Sequence, residues 1–298
     1  MNWNGGSSSE CSMKKHLFIT EKHSLPVGDH KIRLLVLKPL ERHPHPVPGV
    51  LWVHGGGYQS GSAEEIFGTR ALSLVVKFGA VLIAPNYRLS RHHPYPAALQ
   101  DCYTALLWLK EHTEELGVRS DQIMVGGESA GGGMAAALCM LARDRGEVNI
   151  AYQMPLYPML DDRDTPSSKD NHAPNWNTKR NRKAWKRYLR SAYGTDFVPV
   201  YAAPARCEDY RGLPPCYTYV GDIEPCDCET LDYVRHLQEA GVDAHVDVYP
   251  DWFHAYDIFF PTKRVVREAF ARFEEHFHFA MEHYFAPQKA HQKNGSED

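Results

Sequence analysis

The chain has 298 residues, enough for one large α/β domain or two small ones. Hydrophobic residues make up 43% and charged residues 23%, a globular balance with apolar side chains enough for a sizeable core. The formal net charge of −4 gives no electrostatic reason to expect nucleic acid or an anionic membrane as a partner. No run approaches the roughly 18 apolar residues of a membrane helix, and the N-terminus (MNWNGGSSSECSMKK) lacks the apolar stretch of a secretory signal.

Polar segments at 1–13 and 288–298 are expected to be disordered tails around a single domain over 14–287. Inside it, short β-branched or apolar runs predict strands at His16–Thr20, Lys31–Leu37, Val50–His54, Ala80–Pro85, Gln122–Gly126, Ile150–Leu156, Cys216–Gly221 and Ala244–Tyr249. The first two are close enough to pair locally. Segments of helical period separate the others. One is Ala97–His112, with a stripe at 98, 99, 102, 105, 106 and 109. Another starts near Thr262 and aligns Val265, Val266, Ala269, Phe270, Phe273 and Phe277. Such β-α-β-α alternation predicts an α/β fold: a mostly parallel sheet of about eight strands with helices on both faces.

From about Asp161 to Arg211 roughly fifty residues separate two strands, too many for a plain connection. This segment carries a predicted helix over 178–191, basic on one face (Lys179, Arg180, Arg182, Lys183, Lys186, Arg187, Arg190), with Trp185, Tyr188 and Leu189 turned inward. The basic face reads as a solvated surface. The insertion itself reads as a lid over the carboxyl edge of the sheet, where open α/β folds bind ligands.

Gly127-Glu128-Ser129-Ala130-Gly131 follows a strand and opens an Ala-rich helix. A turn this sharp needs small neighbours and lifts the serine hydroxyl clear of the sheet, as a nucleophile requires. His54-Gly55-Gly56-Gly57 ends an earlier strand; without side chains, its amides can turn toward a substrate oxygen. No G-K-[ST] follows it and no G-x-G-x-x-G opens a helix there, which argues against a phosphate loop.

The general base must be a histidine, and the triad order Ser, acid, His leaves only those after Ser129. His172 lies in the insertion, His236 in a surface helix and His245 on the polar side of a strand. His276, His278, His283 and His291 lie in or beyond the last helix. His254, in the loop PDWFHAYD after a strand, sits at the edge where catalytic loops gather. The acid lies just past the preceding strand, where Asp222 and Glu224 both qualify by composition, with Asp227 third.

These motifs together resemble the bacterial hormone-sensitive-lipase-like esterases of the α/β-hydrolase fold, over about residues 30–285. The resemblance rests on HGGGY at 54–58, NYRLSRHHPYPAALQD at 86–101, GGESAGGG at 126–133, VGDIEPCDCET at 220–230 and GVDAHVDVYPDWFHAYD at 241–257. It implies Ser129 as nucleophile, His254 as base, and Gly56, Gly57 and Ala130 as oxyanion-hole amides on a loop shaped by His54 and Gly55. The family's acid immediately precedes a proline, which implies Glu224, although most members carry Asp there. Tyr87, Arg88, Leu89 and Asp101 are implied to be structural, and the N-terminal cap is shorter than is common.

The resemblance also implies a small ester substrate with a short acyl group, acetyl to about hexanoyl, and Tyr58, Trp176, Trp185 and Tyr188 are expected to bind it. Neither cofactor nor metal is expected: Cys226 and Cys228 form a C-x-C with no second pair at metal spacing. The seven scattered cysteines predict free thiols and a cytoplasmic protein. No nucleic acid or membrane partner is expected, and a homo-oligomer is left open. The alternatives are an amidase or formamidase with the same triad, or a non-catalytic ligand-binding member of the fold.

Overall fold

A computed structural model describes residues 17–41 and 43–289. The strands are β1 Phe18–Val27, β2 His30–Pro39, β3 Val47–Val53, β4 Val81–Asn86, β5 Val118–Glu128, β6 Tyr152–Leu156, β7 Cys216–Gly221 and β8 Ala244–Tyr249. They form one sheet in the order β1-β2-β4-β3-β5-β6-β7-β8. β1 pairs antiparallel with β2, and β2 with β4; every pairing from β4 through β8 is parallel.

The helices are α1 Ala71–Val76, α2 Ala97–Glu111, α3 Thr113–Leu116, α4 Ala130–Arg145, α5 Thr178–Leu189, α6 Asp227–Glu239, α7 Tyr256–Phe259 and α8 Arg264–His283. Two apolar cores flank the sheet. On one face α2, α4 and α6 bury Leu106, Leu138 and Leu237; on the other α1 and α8 bury Leu74, Phe273 and Phe277. Each strand alternates side chains between the two faces, so β3, β4 and β5 feed both cores, and β3, β6 and β7 are buried along nearly their whole length. Burial of this kind is the main stabilising contribution, at about 25 cal/mol per Å² of apolar surface removed from water.

β1 is longer than expected. Its paired register with β2 runs from Phe18–Pro39 to Val27–His30, closed by Gly28 and Asp29. His16, where it was expected to start, lies outside the described residues, as does the expected tail over 1–13. Of the expected tail over 288–298, Gln288 and Lys289 are described. Gln288 Nε2 donates to the carbonyls of Ser120 and Asn149, which ties the chain down beyond residue 287.

The connection from β6 to β7 carries α5 and lies over the carboxyl edge of the sheet. Asn177 caps α5 by accepting from the Arg180 amide, and Ala184, Trp185, Tyr188 and Leu189 on its inner face are buried. No helix among the described residues is long and apolar enough to cross a membrane.

Candidate active site

Ser129 occupies the single residue between β5 and α4, with φ 58° and ψ −119°. That backbone strain is imposed from three sides. The Ser129 amide donates to the carbonyl of Leu156 at the end of β6, and its carbonyl accepts from the amides of Gly133 and Met159, each at 3.0 Å. A Cβ on Gly131 would fall 2.0 Å from the Val53 carbonyl oxygen, so only glycine lets α4 start this close to β3. Strain held in this way is expected where a side chain must be presented for chemistry.

His254 follows β8 in a loop whose flanking residues Asp251 and Ala255 have φ of 64° and 59°. Its Nε2 stands 2.7 Å from Ser129 Oγ, and its Nδ1 bonds the Glu224 carboxylate through Oε2. Glu224 is fully buried, with its second oxygen accepting from the Gly221 amide at 3.1 Å. The three side chains come from the carboxyl ends of three different strands. They form one hydrogen-bonded chain in which a proton leaving Ser129 Oγ can pass to the imidazole, with the carboxylate stabilising the imidazolium. Asp222 turns elsewhere: it accepts from the Asp251 amide at 2.7 Å. Asp227 heads α6 and is pushed up to about 6 by burial and the nearby carboxylates of Glu224 and Asp222.

The glycine loop after β3 passes directly over the serine. An added Cβ on Gly55 would lie 3.5 Å from Ser129 Cβ. Gly56 has φ 99°, and any Cβ there would strike the Ser60 carbonyl at 2.1 Å. Among the described residues the amides of Gly56, Gly57 and Ala130 donate to no acceptor, so three N–H groups remain open beside the serine. The loop is braced from behind. The His54 ring stacks on Tyr87 at 4.1 Å, its Nδ1 donates to the Gly55 carbonyl, and Tyr87 Oη donates to the His54 carbonyl at 3.1 Å. Burial lowers His54 to about 4, so its ring is neutral and serves as a packing and hydrogen-bonding element. Arg88 forks onto buried Asp101 and fixes the next stretch of chain.

A cleft of about 380 Å³ opens above Ser129 and His254 and runs past Gly56, Gly57, Trp176 and Phe259. Of the four residues expected to bind substrate, only Trp176 lines it. Tyr58, Trp185 and Tyr188 are corrections: all three are about 1% exposed and pack on one another, with Tyr58 stacked on Tyr188 at 4.0 Å. They anchor α5 to the body of the protein, because large apolar rings one helical turn apart are what a covering helix needs to stay seated. Trp176 precedes that helix and is left facing the cleft, 5.7 Å from the His254 ring.

Three residues of the site were not foreseen. Asn175 donates from Nδ2 to the His254 carbonyl, the Tyr157 ring packs against the imidazole with centres 5.1 Å apart, and buried Asp257 accepts from the Tyr157 hydroxyl. Tyr157 carried a readable signal, since it directly follows β6 at the edge where β5, β7 and β8 also end. Cys226 Sγ lies within 4.8 Å of ligand-type atoms of Glu224 and His254. Those two side chains are bonded to each other, and burial keeps the Cys226 thiol well above its ordinary range and protonated, so the set suits proton transfer better than a metal.

The fold and the site define the class. The α/β-hydrolase-fold family model matches residues 50–258, and the chain belongs to that family, in its hormone-sensitive-lipase-like branch. It is 35% identical over 211 residues to the esterase LipI of Mycobacterium tuberculosis, covering 70% of this chain and 65% of that protein. Over 216 residues it is 32% identical to the carboxylesterase NlhH of the same species, covering 70% and 66%. The match thus spans just under two thirds of the length of these curated relatives. Among solved structures it is similar to a bacterial heroin esterase, with a TM-score of 0.85, 33% identity, and coverage of 91% of this chain and 88% of that one.

Proposed function

We propose that the protein is a serine carboxylic-ester hydrolase for small esters, with Ser129 as nucleophile, His254 as base and Glu224 as acid. The observation that carries this reading is the continuous chain Ser129 Oγ, His254 Nε2, His254 Nδ1, Glu224 Oε2, in a cleft that Gly56 and Gly57 also line. His254 takes the Ser129 proton as Oγ attacks the ester carbonyl. The carbonyl oxygen, now negative, accepts from the amides of Gly56, Gly57 and Ala130. Collapse of the tetrahedral intermediate expels the alcohol, protonated by His254, and leaves an acyl-serine that water hydrolyses by the same steps in reverse. Every step uses this chain's own groups.

The modest cleft and the indole of Trp176 across it support short acyl groups, acetyl to about hexanoyl. The segment over 161–211 acts as the lid. The names of the relatives, esterase and carboxylesterase, support the bond class. The described cysteines are free thiols, which supports a reducing, cytoplasmic setting.

The test is covalent labelling by a sulfonyl fluoride or organophosphate, with the site located by mass spectrometry, alongside turnover of matched ester and amide substrates across an acyl-length series. The expected result is one label on Ser129, ester turnover exceeding amide turnover, and a loss in kcat of at least about 10³-fold for Ser129→Ala. A label elsewhere on active enzyme, or faster turnover of the amide, overturns the reading.

A further inference from the structure

The His254 loop is anchored by a buried charge that the mechanism above does not use. Asp257, about 1% exposed, lies three residues after His254 and inside the short helix α7. Its Oδ2 accepts from Tyr219 Oη at 2.6 Å and Tyr157 Oη at 3.3 Å, and pairs with Arg70 Nη2 at 3.1 Å. Arg70 is itself buried and lies over the ring of Phe270 from α8. Two fully desolvated charges bring little or no net stability compared with apolar residues of the same size, so packing alone does not account for them.

Two physical connections lead from this pair to the imidazole. The first is the backbone. The α7 turn begins at Ala255, whose carbonyl accepts from the Ile258 amide at 3.0 Å, so fixing Asp257 fixes the turn that leaves His254. The second is Tyr157. Its hydroxyl is held by Asp257 while its ring packs against the His254 ring, the two planes crossing at 73°, so the carboxylate sets where the Tyr157 ring stands. Tyr157 takes φ 35°, a conformation that persists only where surroundings impose it.

We propose that Asp257, paired with Arg70, is a positioning residue for the reaction: through Tyr157 and the α7 turn it holds the His254 imidazole in line with Ser129 Oγ. This rests on the reading of Ser129 and His254 as nucleophile and base. Asp257 touches neither substrate nor the reacting atoms. Its contribution is the angle of the ring, and small misplacements of a catalytic group cost rate while leaving ground-state binding in place.

The experiment compares full-length wild-type enzyme with Asp257→Asn, Tyr157→Phe and the double variant, using p-nitrophenyl butyrate. Active protein is counted by sulfonyl fluoride titration of Ser129, and melting temperature is recorded for each. The expected result is a roughly tenfold or greater fall in kcat per titratable serine for each single variant, with KM within about twofold. The double variant should be no slower than the slower single, because both substitutions break one link. Lower melting temperatures with unchanged kcat per titratable serine would overturn the proposal, leaving Asp257 a structural residue only. Fully additive losses would overturn the route through Tyr157. If Asp257→Asn does not fold, Tyr157→Phe alone decides, since it keeps the ring and removes only the hydroxyl. Ser129→Ala is run in parallel: activity persisting there means that the site itself was misread, a different failure from an inert Asp257.

Discussion

Asp222 gives its carboxylate to the Asp251 amide, 2.7 Å away, and so faces the loop beyond β8 while Glu224 faces His254. The two acids stand one residue apart on either side of Ile223, yet one is exposed and the other fully buried. Glu224→Gln is expected to lower kcat by roughly 10²–10⁴-fold with the fold intact, because the imidazole loses its orienting anion. Asp222→Asn should cost no more than about tenfold by the same reasoning. Steady-state kinetics on folded variants with one ester checks both; the reverse order moves the acid to Asp222.

The covering segment divides into a part that meets the cleft and a part that holds the helix down. Trp176→Ala should shift the acyl-length profile with little loss of stability, since the indole is only partly buried. Trp185→Ala and Tyr188→Ala should each cost about 3–5 kcal/mol by emptying a fully packed site, and leave the profile of the folded fraction unchanged. Rates across an ester series, set beside denaturant midpoints, separate the two groups. A profile unmoved by Trp176→Ala would remove that residue from the pocket.

Glu229 of α6 is buried, with Oε2 accepting from the Asp161 amide at 2.7 Å and burial pushing its carboxyl up to about 8. In the unfolded chain it ionises near 4.5, so between these values the folded state holds a proton that the unfolded state has released. Stability supplied by the neutral carboxyl is therefore complete below about pH 4.5 and is lost as pH rises through about 8. Glu229→Gln keeps an acceptor for the Asp161 amide and does not titrate. The variant should gain on wild type steadily from pH 5 to pH 8 in urea midpoints, by the linkage of proton binding to folding. Parallel curves would show that Glu229 is ionised in the native protein.

What could be read from the residues follows what the environment makes periodic. β3, β6 and β7 are covered on both faces, so they read as mainly apolar runs and fall within a few residues of the expected bounds. β1 is an edge strand with half of its residues exposed, and the polar run Lys22-His23-Ser24 at its middle interrupts the hydrophobic signal before Leu25 and Val27. The Ser129 turn was legible because its chemistry demands small residues in a fixed order. Trp185 and Tyr188 were recognised as inward-facing, but a sequence does not say which interior an aromatic ring enters, and here it is the core under α5. Asp257 was invisible for a related reason: one acidic residue in a loop reads as solvated until the fold brings Arg70, Tyr157 and Tyr219 around it.

The glycine loop meets the covering segment at Gly57, and that contact is open to a direct test. Gly57 has φ 59°, and a Cβ there would sit 2.7 Å from the Trp176 ring and 3.2 Å from Ala184 Cβ. Gly57→Ala therefore brings two penalties: a left-handed conformation costing roughly 1–2 kcal/mol for an L-residue, and a clash that the loop can relieve only by moving. Either movement displaces an amide that the mechanism aims at the oxyanion, and losing one such donor costs about 10²–10³-fold in kcat. The expected outcome is a fall of that order with KM little changed. If the clash with the indole is the main cause, Gly57→Ala with Trp176→Ala should recover part of the loss, because the smaller side chain leaves room for the added methyl. Equal kcat in wild type and Gly57→Ala would mean that the amide at this position does not face the developing charge. No recovery in the double variant would place the damage in the backbone conformation itself.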